Sequence, residues 1–588
     1  MFKDRVARCK RRADRTSATN AVMTAPSSAV PQIHTFDRAQ TRSTARHAAV
    51  SVALAALSLL LLLATEPQIG LTWDEPAYIV AARSYVGWFE LLAADPGGAL
   101  QPDAIRRFWE ANHEHPPLDK VWSGMVWQVA RLFLDDLPAH RLGNMLLTAI
   151  AAGVLYATVT SSFGGWAGVV AVVALMTMPR FFFHAHLAAL DVPAAVAFFL
   201  VTALFWHIRQ HRNIAWDAAL GVAWGAALAT KINALFVLPM LCVWTLAFAR
   251  HTFLVRRVII AGFIGLPVFL ALWPWLYHDT IARLIAYLRF ITVDHWKIAQ
   301  WYFGEALMPP PWHFPFVMLI AVTPLAITLM ALAGIVRGIA AFRSTSPAHH
   351  DQGAQIALWA LGALTPLLAL TTGRTMVYDN ERLFMPAFFF VAALAGVGLD
   401  GIGRMLHRKF DQQGATRRAA PVVALTGSLL FLPHMINAIQ MYPHLLSYYS
   451  ETVGGLRGAT RMGLETTYWC ETYAVALPYI NAHAAPGAVV WVEDWSHDVL
   501  LTYQFFGRLR PDVRVALAPG AGSLFSRYGL EGTPADISGA DYIIVSYRQT
   551  GFAAHPKIER WIAEHQPVLR LERSGVPLME LYESRRSP

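Results

Sequence analysis

Residues 48–65 read AAVSVALAALSLLLLLAT, and this uncharged apolar run predicts the fold class of the chain. An α-helix needs about 20 apolar residues to cross the hydrocarbon core of a membrane. LTWDEPAY follows at 71–78 and sets two adjacent carboxylates, Asp74 and Glu75, close to the predicted lipid boundary. The sequence therefore predicts a membrane-spanning helix that leads directly into a polar segment.

The composition of the whole chain favours a polytopic membrane protein. Of its 588 residues, 55% are hydrophobic and only 15% are charged, whereas soluble domains carry about 25% charged residues. The net charge of +9 is compatible with nucleic-acid binding, but the basic residues stand mainly at the ends of apolar runs, where they indicate topology. We therefore predict no nucleic-acid partner. The three cysteines, Cys9, Cys242 and Cys470, form neither a disulfide framework nor a CxxC metal motif.

Eleven apolar segments are predicted to span the membrane, and the segment at 216–231 is short. With the N-terminus inside, the inner loops hold arginines and few acids, as the positive-inside rule requires. This orientation predicts a cytoplasmic N-terminus and an extracytoplasmic C-terminal region, in a bacterial inner or plasma membrane. The spans are predicted at 48–66, 142–161, 164–183, 187–206, 216–231, 232–249, 258–277, 314–336, 356–372, 383–400 and 420–440.

The chain divides into three predicted domains. Residues 1–46 predict a disordered basic tail, and residues 47–440 a membrane domain whose first outer loop, 67–141, is too long for a simple connector. Residues 441–588 alternate short β-type runs with turns and helical candidates, which predicts a small extracytoplasmic α/β domain. The β-type runs are at 488–494, 513–517, 541–547 and 567–573, and the clearest helix is at 557–565.

Two stretches of the first outer loop, 77–92 and 103–112, mix apolar and polar residues at helical spacing. Such helices either lie in the membrane interface or cap the helical bundle, and the sequence leaves both arrangements open. In both arrangements the loop contains helices.

Five polar segments fall near the same predicted membrane boundary, where a charged side chain is by default a functional hypothesis. A carboxylate can take the proton of a hydroxyl nucleophile, and Lys231 and Arg382 can hold a phosphate. Together these groups suit a hydroxyl that attacks a carbon whose leaving group is a membrane-anchored phosphate. The segments are TWDEPAY (72–78), NHEHPPLDK (112–120), PRFFFHAHLAALDVP (179–193), TKIN (230–233) and TMVYDNERLFMPA (375–387).

The order of these segments resembles that of the GT-C glycosyltransferases of family 39, which include protein O-mannosyltransferases and lipid A aminoarabinose transferases. WDEPAY resembles the Asp-Glu pair of their first outer loop, HEHPPLDK its His-Pro-Pro-Leu segment, HLAALDVP their second acidic motif and NERLFMPA the start of a late helix. The resemblance implies an α-helical, GT-C-like membrane fold, a sugar donor carried on polyprenyl phosphate and a hydroxyl-bearing acceptor. The C-terminal region differs from the β-trefoil-type insertion of the eukaryotic mannosyltransferases, which puts a protein acceptor in doubt.

The resemblance also implies a role for each site residue. Asp74 would be the general base that activates the acceptor hydroxyl in an inverting displacement, and Glu75 would support it or orient the loop. Asp191 would assist on the acceptor or donor side. The donor and its phosphate would be bound by His115, Lys120, Lys231 and Arg382.

The histidines near these segments raise a metal site as a further hypothesis. His113, Glu114, His184 and His186 are candidate ligands of a divalent metal ion, although their spacing is not a metal signature. The sequence therefore predicts no certain cofactor.

The acidic and basic motifs also have structural interpretations. Asp74 and Glu75 are compatible with a helix start that Thr72 caps, because acids favour the first helical turn. Arg382 is also compatible with a simple ion pair to Asp379 or Glu381.

Two other functions remain as alternatives. A secondary transporter or flippase of a lipid-linked or amphipathic substrate would place polar groups along broken helices in mid-membrane, whereas here the ionisable residues cluster at one face. A receptor whose C-terminal domain binds a glycan would leave the long first outer loop without a purpose. The sequence therefore favours the glycosyltransferase, without naming its sugar or acceptor.

Overall fold

The computed structural model describes residues 33–249, 252–295, 297–373, 377–412, 419–493, 496–518 and 520–584. The chain divides into two compact units, residues 1–46 and residues 47–588. Of the predicted basic tail, residues 1–32 lie outside the described residues, whereas residues 33–46 are helical rather than disordered.

Apolar helices make up most of the described chain before residue 442, with one short antiparallel hairpin, β1 (Gln300–Tyr302) and β2 (Glu305–Leu307). The helices of this part are α1 (Ile33–Thr65), α2 (Glu75–Ala94), α3 (Pro96–Ala99), α4 (Pro102–Trp109), α5 (Leu118–Ala130), α6 (Asp136–Phe163), α7 (Gly165–Met176), α8 (Pro179–His184), α9 (Asp191–Ile208), α10 (Ile214–Thr230), α11 (Val237–Trp244), α12 (Thr252–Ala271), α13 (Thr280–Arg289), α14 (Phe314–Val322), α15 (Leu325–Phe342), α16 (Pro347–Ala369), α17 (Ala387–Gln412) and α18 (Ala419–Met441).

Among the described residues, six helices are long and apolar enough to cross a membrane. Each of the predicted spans falls on helix, and three further apolar helices are shorter, so the chain is an integral membrane protein. The six are Thr44–Gln68, Asp136–Phe163, Asp191–Ile208, Phe253–Ala271, Leu325–Phe342 and Ala387–Gln412.

Two of the predicted spans are divided by a proline into two α-helices. Met178 and Thr323 have extended backbones, with ψ of 108° and 126°, because the ring of the following proline disfavours the helical conformation. The predicted spans 164–183 and 314–336 are therefore helix pairs, α7–α8 and α14–α15, rather than continuous helices.

Glycines allow the membrane helices to approach closely. A Cβ on Gly398 of α17 would lie 1.9 Å from the carbonyl oxygen of Met330 on α15. A Cβ on Gly334 of α15 would lie 2.2 Å from the carbonyl oxygen of Leu394 on α17. Small residues at such crossings are the usual means by which helices associate in lipid, where no hydrophobic force drives them together.

The helices of the first outer loop pack against protein. Tyr85 of α2 is buried and stacks on Trp109 of α4 at a ring distance of 4.3 Å, and Trp88 meets the same indole edge-on at 5.1 Å. The apolar faces of α2 and α4 thus pack against each other and are buried in the protein.

After residue 441 the described chain contains a six-stranded mixed sheet, in the order β5-β4-β3-β6-β8-β7. The predicted β-type runs and the predicted helix are confirmed, whereas β5 and β8 were not predicted. The turn before β8 is Ser574-Gly575, and both residues have positive φ, as a two-residue hairpin turn requires. The elements are α19 (Gly455–Arg461), α20 (Leu477–His483), β3 (Val489–Trp491), α21 (His497–Phe505), β4 (Arg514–Leu517), β5 (Thr533–Pro534), β6 (Tyr542–Ser546), α22 (Gln549–Ala554), α23 (Pro556–Glu564), β7 (Leu569–Arg573) and β8 (Val576–Glu583).

The candidate site lies where the ends of several helices meet. Helix α9 begins with Asp191, α10 ends immediately before Lys231, and Arg382 lies in a short 3-10 turn before α17. Asp74 immediately precedes α2. The fold thereby brings polar residues from distant parts of the sequence to one end of the helical bundle.

Candidate functional site

Arg382 is the centre of a carboxylate cluster. Its side chain is 5% exposed and donates hydrogen bonds to Asp74, to Asp191 (3.0 Å) and to Asp379 (2.7 Å). A guanidinium group carries five N–H donors in a fixed planar geometry, so one arginine orients three carboxylates at once. The structural interpretation of Arg382 as a partner of Asp379 is therefore correct, but it covers only one of three ion pairs.

Asp74 keeps one carboxylate oxygen for an incoming group. Its Oδ2 accepts from Arg382 and from the Tyr78 hydroxyl at 3.2 Å, whereas no side chain or backbone group within the described ranges donates to Oδ1. The side chain is 24% exposed, although its partners in the cluster are buried. Asp74 occupies the N-cap position of α2 without making a capping hydrogen bond. Its carboxylate is thus directed into the cluster and not at the helix end.

The electrostatic surroundings make Asp74 a stronger base than an ordinary aspartate. Burial raises the pKa of Asp74, Arg382 lowers it, and the carboxylates of Asp191 and Asp379 raise it again, so the net pKa lies above the usual range. A base with a raised pKa accepts a proton more readily in a transition state near neutral pH.

Asp191 is held on both oxygens. Its Oδ1 lies 2.6 Å from the Lys231 Nζ and its Oδ2 lies 3.0 Å from the Arg382 Nε. The Lys231 side chain is 14% exposed, and the described residues engage one of its three N–H donors. Lys231 is therefore a cation at the edge of the cluster that retains donors for an anion.

Asp379 connects Arg382 to the region after residue 441. Its Oδ2 accepts from the Trp469 indole Nε1 at 3.1 Å as well as from Arg382, and its Oδ1 accepts from the Arg548 Nη2 at 2.7 Å. The Trp469 ring lies 3.7 Å from the Arg382 guanidinium carbon. A cation stacked on an indole in a buried setting is favourable by about 2 kcal/mol. Asp379 and Trp469 thus fix the orientation of Arg382 from two sides.

The backbone is strained at both of these contacts. Asp379, Asn380, Trp469 and Cys470 have φ of 52°, 56°, 69° and 63°, in the left-handed region that favours glycine. Gln300 holds this conformation at Asn380 through two hydrogen bonds of 3.1 Å. Such strain concentrates at functional sites, where the surrounding contacts maintain it.

Glu75 is fully engaged in structural contacts. Its two oxygens accept from the Arg141 Nε and Nη2 at 2.8 Å each, and the backbone N–H groups of Ala188 and Thr72 donate at 3.1 and 3.0 Å. The Thr72 hydroxyl also donates to the Glu75 Oε2, at 3.2 Å. Glu75 therefore orients the start of α2 and the segment before α9, and has no free oxygen for substrate among the described residues.

His115 and Lys120, which are predicted to bind the sugar donor, lie in the same loop but differ in whether their side chains are free to bind a ligand. All three N–H groups of Lys120 are used: they donate to the Asn112 carbonyl and Oδ1 at 2.8 Å and to the His115 carbonyl at 2.9 Å. This geometry argues against the predicted phosphate-binding role of Lys120.

Burial, and then the cations Lys120 and Lys231, hold the pKa of His115 well below its usual range, so its imidazole is neutral. Its ring lies 6.1 Å from that of Tyr78 and thus borders the cluster.

A second buried network lies directly behind Arg382. Glu381 accepts from the Arg180 Nη1 at 2.6 Å and from the Tyr468 hydroxyl at 2.7 Å. Tyr468 also lies 3.0 Å from the His184 Nε2. These contacts fix the position of the residue that precedes Arg382.

The predicted metal ligands do not come together. His113 stacks on Trp275 at 4.7 Å, His184 contacts Tyr468, and His186 contacts Thr65 at 2.8 Å. In the part of the chain that the structure describes, no group of three or more His, Cys, Asp or Glu side chains could hold a metal ion. The hypothesis of a metal site on His113, Glu114, His184 and His186 is therefore wrong for the described residues.

Sequence reasoning missed several residues of the cluster. Arg141 and Arg180 carried a usable signal, because charges in or beside predicted spans mark functional or structural sites. Asp379 lies in the segment 375–387, but the sequence indicates it only as an ion-pair partner of Arg382. Trp469 lies in 446–471, a stretch rich in aromatic residues, glycines and acids that is compatible with a border of the acceptor channel or with a structured linker. Arg548 lies in the C-terminal region, far from every motif, and no local pattern connects it to the site.

Part of the chain matches a known protein family. Residues 114–275 match the family of dolichyl-phosphate-mannose-protein mannosyltransferases. The matched range contains His115, Asp191 and Lys231, and lies between Asp74 and Arg382. It confirms the resemblance to protein mannosyltransferases that the sequence motifs predict. No curated protein matches the chain by sequence.

Solved structures similar to the chain include ArnT from Cupriavidus metallidurans and the archaeal oligosaccharyltransferase AglB from Archaeoglobus fulgidus. ArnT bound to undecaprenyl phosphate is 19% identical with a TM-score of 0.48, and the match covers 91% of this chain and 97% of that chain. Its apo state is 18% identical with a TM-score of 0.48, over 93% and 99%. AglB in complex with an inhibitory peptide and a dolichol-phosphate is 11% identical with a TM-score of 0.45, over 85% and 69%.

Proposed function

We propose that the chain, part of which matches the dolichyl-phosphate-mannose-protein mannosyltransferases, is an integral-membrane, inverting glycosyltransferase. It transfers a sugar from a polyprenyl-phosphate donor to a hydroxyl acceptor at the outer face of the membrane. The observation that carries this proposal is the Oδ1 of Asp74. It is the one oxygen among the carboxylates of Asp74, Glu75, Asp191 and Asp379 that no described residue engages.

The reaction follows from this free oxygen. The acceptor hydroxyl gives its proton to the Asp74 Oδ1 while its oxygen attacks the anomeric carbon of the sugar. The bond between that carbon and the phosphate oxygen breaks, and its electron pair leaves with the lipid phosphate. A single displacement from the opposite face inverts the anomeric configuration. The leaving phosphate needs no proton, so the site needs one base and a cation for the developing charge.

Lys231 is the cation best placed for the phosphate. It is more exposed than Arg382, at 14% against 5% of the side chain, and has donors that the described residues leave unused. Arg382 is engaged by three carboxylates, and we assign it the orientation of Asp74 and Asp191 together with a share of the positive potential. Asp191 holds Lys231 in place at 2.6 Å.

The remaining predicted residues have supporting roles. Glu75 orients the loop through Arg141. His115, whose imidazole is neutral, shapes the donor pocket beside Tyr78. The positive charge of the predicted inner loops supports a site at the extracytoplasmic face.

Sugar transfer in membranes tests the function. Membranes that contain the protein receive polyprenyl phosphates carrying labelled mannose, glucose or aminoarabinose, and the label is followed into lipid, glycan and protein fractions. The proposal expects label to leave the donor and enter one fraction with inverted configuration. Movement of intact donor across sealed vesicles without transfer of the sugar would instead support the flippase alternative. Membranes with the Asp74→Asn protein control for host enzymes.

A further inference from the structure

We infer that Arg548, supplied by the C-terminal sheet region, is a positioning residue of the site: by binding Asp379 it sets the orientation of Arg382 towards Asp74. This inference deepens the proposed function and rests on it. It makes the region after residue 441 a part of the catalytic unit, whereas the sequence motifs end before that region.

Arg548 lies beside an acid of its own region and reaches the site with the end of its guanidinium group. It lies two residues after β6, at the N-cap position of α22, and its side chain is 10% exposed. Its Nε lies 3.7 Å from the Glu465 Oε1, and the same oxygen accepts from the Thr550 backbone N–H at 3.0 Å. The Nη2 end of the guanidinium then reaches the Asp379 Oδ1 at 2.7 Å. The side chain thus joins the two parts of the chain through a planar, pre-organised fork.

The neighbouring residues hold this arrangement rigid. Gln549 forms two hydrogen bonds of 2.7 Å with Thr466, one to its backbone N–H and one to its hydroxyl. The segment that carries Thr466 continues to Trp469, which covers the Arg382 guanidinium. Two stretches of the C-terminal region, which these hydrogen bonds connect, thereby supply the stacking partner of Arg382, which is Trp469, and the clamp on Asp379, which is Arg548.

The charges explain why Asp379 needs a second cation. Its carboxylate is 2% exposed, and Arg382 divides its charge among three acids. Without Arg548 the Oδ1 of Asp379 would be a buried carboxylate oxygen without a hydrogen-bond donor, which is unfavourable. Asp379 would then either draw Arg382 away from Asp74 or rotate away from Arg382. In either case the base loses its alignment.

The inference predicts opposite electrostatic effects on Asp74 when either partner of the ion pair is removed. Loss of the Arg548 charge raises the pKa of Asp74, because negative charge near Arg382 is no longer balanced. Loss of the Asp379 charge lowers the pKa of Asp74, because a neighbouring acid disappears. The charged and titratable groups around these residues are Arg382, Asp191, Tyr78, Tyr378, Lys231 and His115 on the side of Asp74, and Glu465, Glu493 and Cys470 on the side of Arg548.

Infrared titration of the purified, full-length protein measures this effect without any substrate. The carboxylic-acid band of Asp74 is assigned by its loss in Asp74→Asn, and its midpoint is compared in the wild type, Arg548→Gln and Asp379→Asn. We expect the midpoint to move up in Arg548→Gln and down in Asp379→Asn, by about half a pH unit or more each. Arg570→Gln is the matched control. Arg570 pairs with Glu580 within the C-terminal sheet, and its side chain is 54% exposed, so removal of its charge should leave the Asp74 midpoint unchanged.

Turnover and a conservative variant complete the test. In Arg548→Gln we expect kcat to fall about tenfold or more, with the KM of the donor within about twofold, because alignment and not donor binding is lost. Arg548→Lys keeps the charge and is expected to keep the infrared midpoint of the wild type. The inference would be overturned if the infrared midpoint of Asp74 equals the wild-type value in both Arg548→Gln and Asp379→Asn. This outcome counts only for variants that unfold at the same temperature as the wild type. Absence of sugar transfer by the wild type, with the opposite shifts present, would instead contradict the proposed function.

Discussion

Glu75 and Arg141 form a fully buried bidentate ion pair, with the arginine Nε and Nη2 each 2.8 Å from one carboxylate oxygen. The pair ties the start of α2 to α6, while the adjacent Asp74 turns towards Arg382. The two neighbouring acids of the Asp-Glu motif thus have separate tasks. One holds the loop, and the other remains available for substrate.

Removal of the Glu75 charge is expected to destabilise the fold. Glu75→Gln leaves the buried guanidinium of Arg141 with Glu66 as its remaining carboxylate partner, at 3.0 Å. Breaking a buried pair by removing one partner costs about 3–5 kcal/mol. The free energy of unfolding in mixed detergent micelles measures the loss. Glu90→Gln, an exposed acid on the same helix, is the control; equal stability of both variants would contradict this role of Glu75.

Lys231 is expected to bind the phosphate of the lipid carrier. Lys231→Met removes a charge-assisted hydrogen bond worth about 1.5–3 kcal/mol, so we expect affinity for undecaprenyl phosphate to fall roughly 10- to 100-fold. Binding is measured by titration of the purified protein with undecaprenyl phosphate. Lys297→Met, at an exposed lysine, is expected to bind as the wild type does. Unchanged affinity in Lys231→Met would remove Lys231 from the phosphate site.

Asp119 is expected to make stability depend on pH. Burial raises the pKa of Asp119 to about 7, against the opposing effect of Lys120. A carboxyl whose pKa is raised on folding stabilises the fold fully below its unfolded pKa of about 3.9, and this contribution is lost as pH rises through the folded pKa. The wild type should therefore lose up to about 4 kcal/mol of stability between about pH 4 and pH 7, and Asp119→Asn should lose much less. Unfolding measured across this range, with exposed Asp103→Asn as control, checks the sign.

The crossing of α15 and α17 is expected to tolerate no side chain at Gly398. In Gly398→Ala the new methyl group would meet the Met330 carbonyl oxygen at 1.9 Å, so the helices must separate. Overpacking of this kind costs about 1–3 kcal/mol. In the control Gly262→Ala the nearest atom to the new methyl group is 3.7 Å away, an ordinary contact. Thermal unfolding of the two variants should differ, and equal midpoints would contradict the close approach.

The membrane helices were predictable because apolar length and flanking charge are local properties. The run at 48–65 and the arginines of the predicted inner loops give the helices almost directly. The helix breaks at Met178 and Thr323 also had a local signal, the proline that follows each. They were missed because hydropathy averages over a window and does not register one residue.

The site was only partly predictable, because its geometry depends on contacts between distant segments. Asp74, Asp191 and Arg382 stand in recognisable motifs, and the structure brings them together. Their connection through Asp379 to Arg548 depends on how the C-terminal region docks, and no periodicity or spacing encodes that docking. The engagement of Lys120 was not predictable for the same reason, since its three N–H groups donate to carbonyl oxygens and to the Asn112 side chain of a folded loop.

The central claim is that the Oδ1 of Asp74 takes the proton of the acceptor hydroxyl, and the rate of sugar transfer by Asp74→Asn tests it most directly. Asparagine keeps the shape and a hydrogen bond to Tyr78 or Arg382 but cannot act as a base. We predict a loss of about 100- to 10,000-fold in kcat, with donor binding retained and with transfer by the control Asp103→Asn unchanged. Transfer by Asp74→Asn at the wild-type rate would contradict the account.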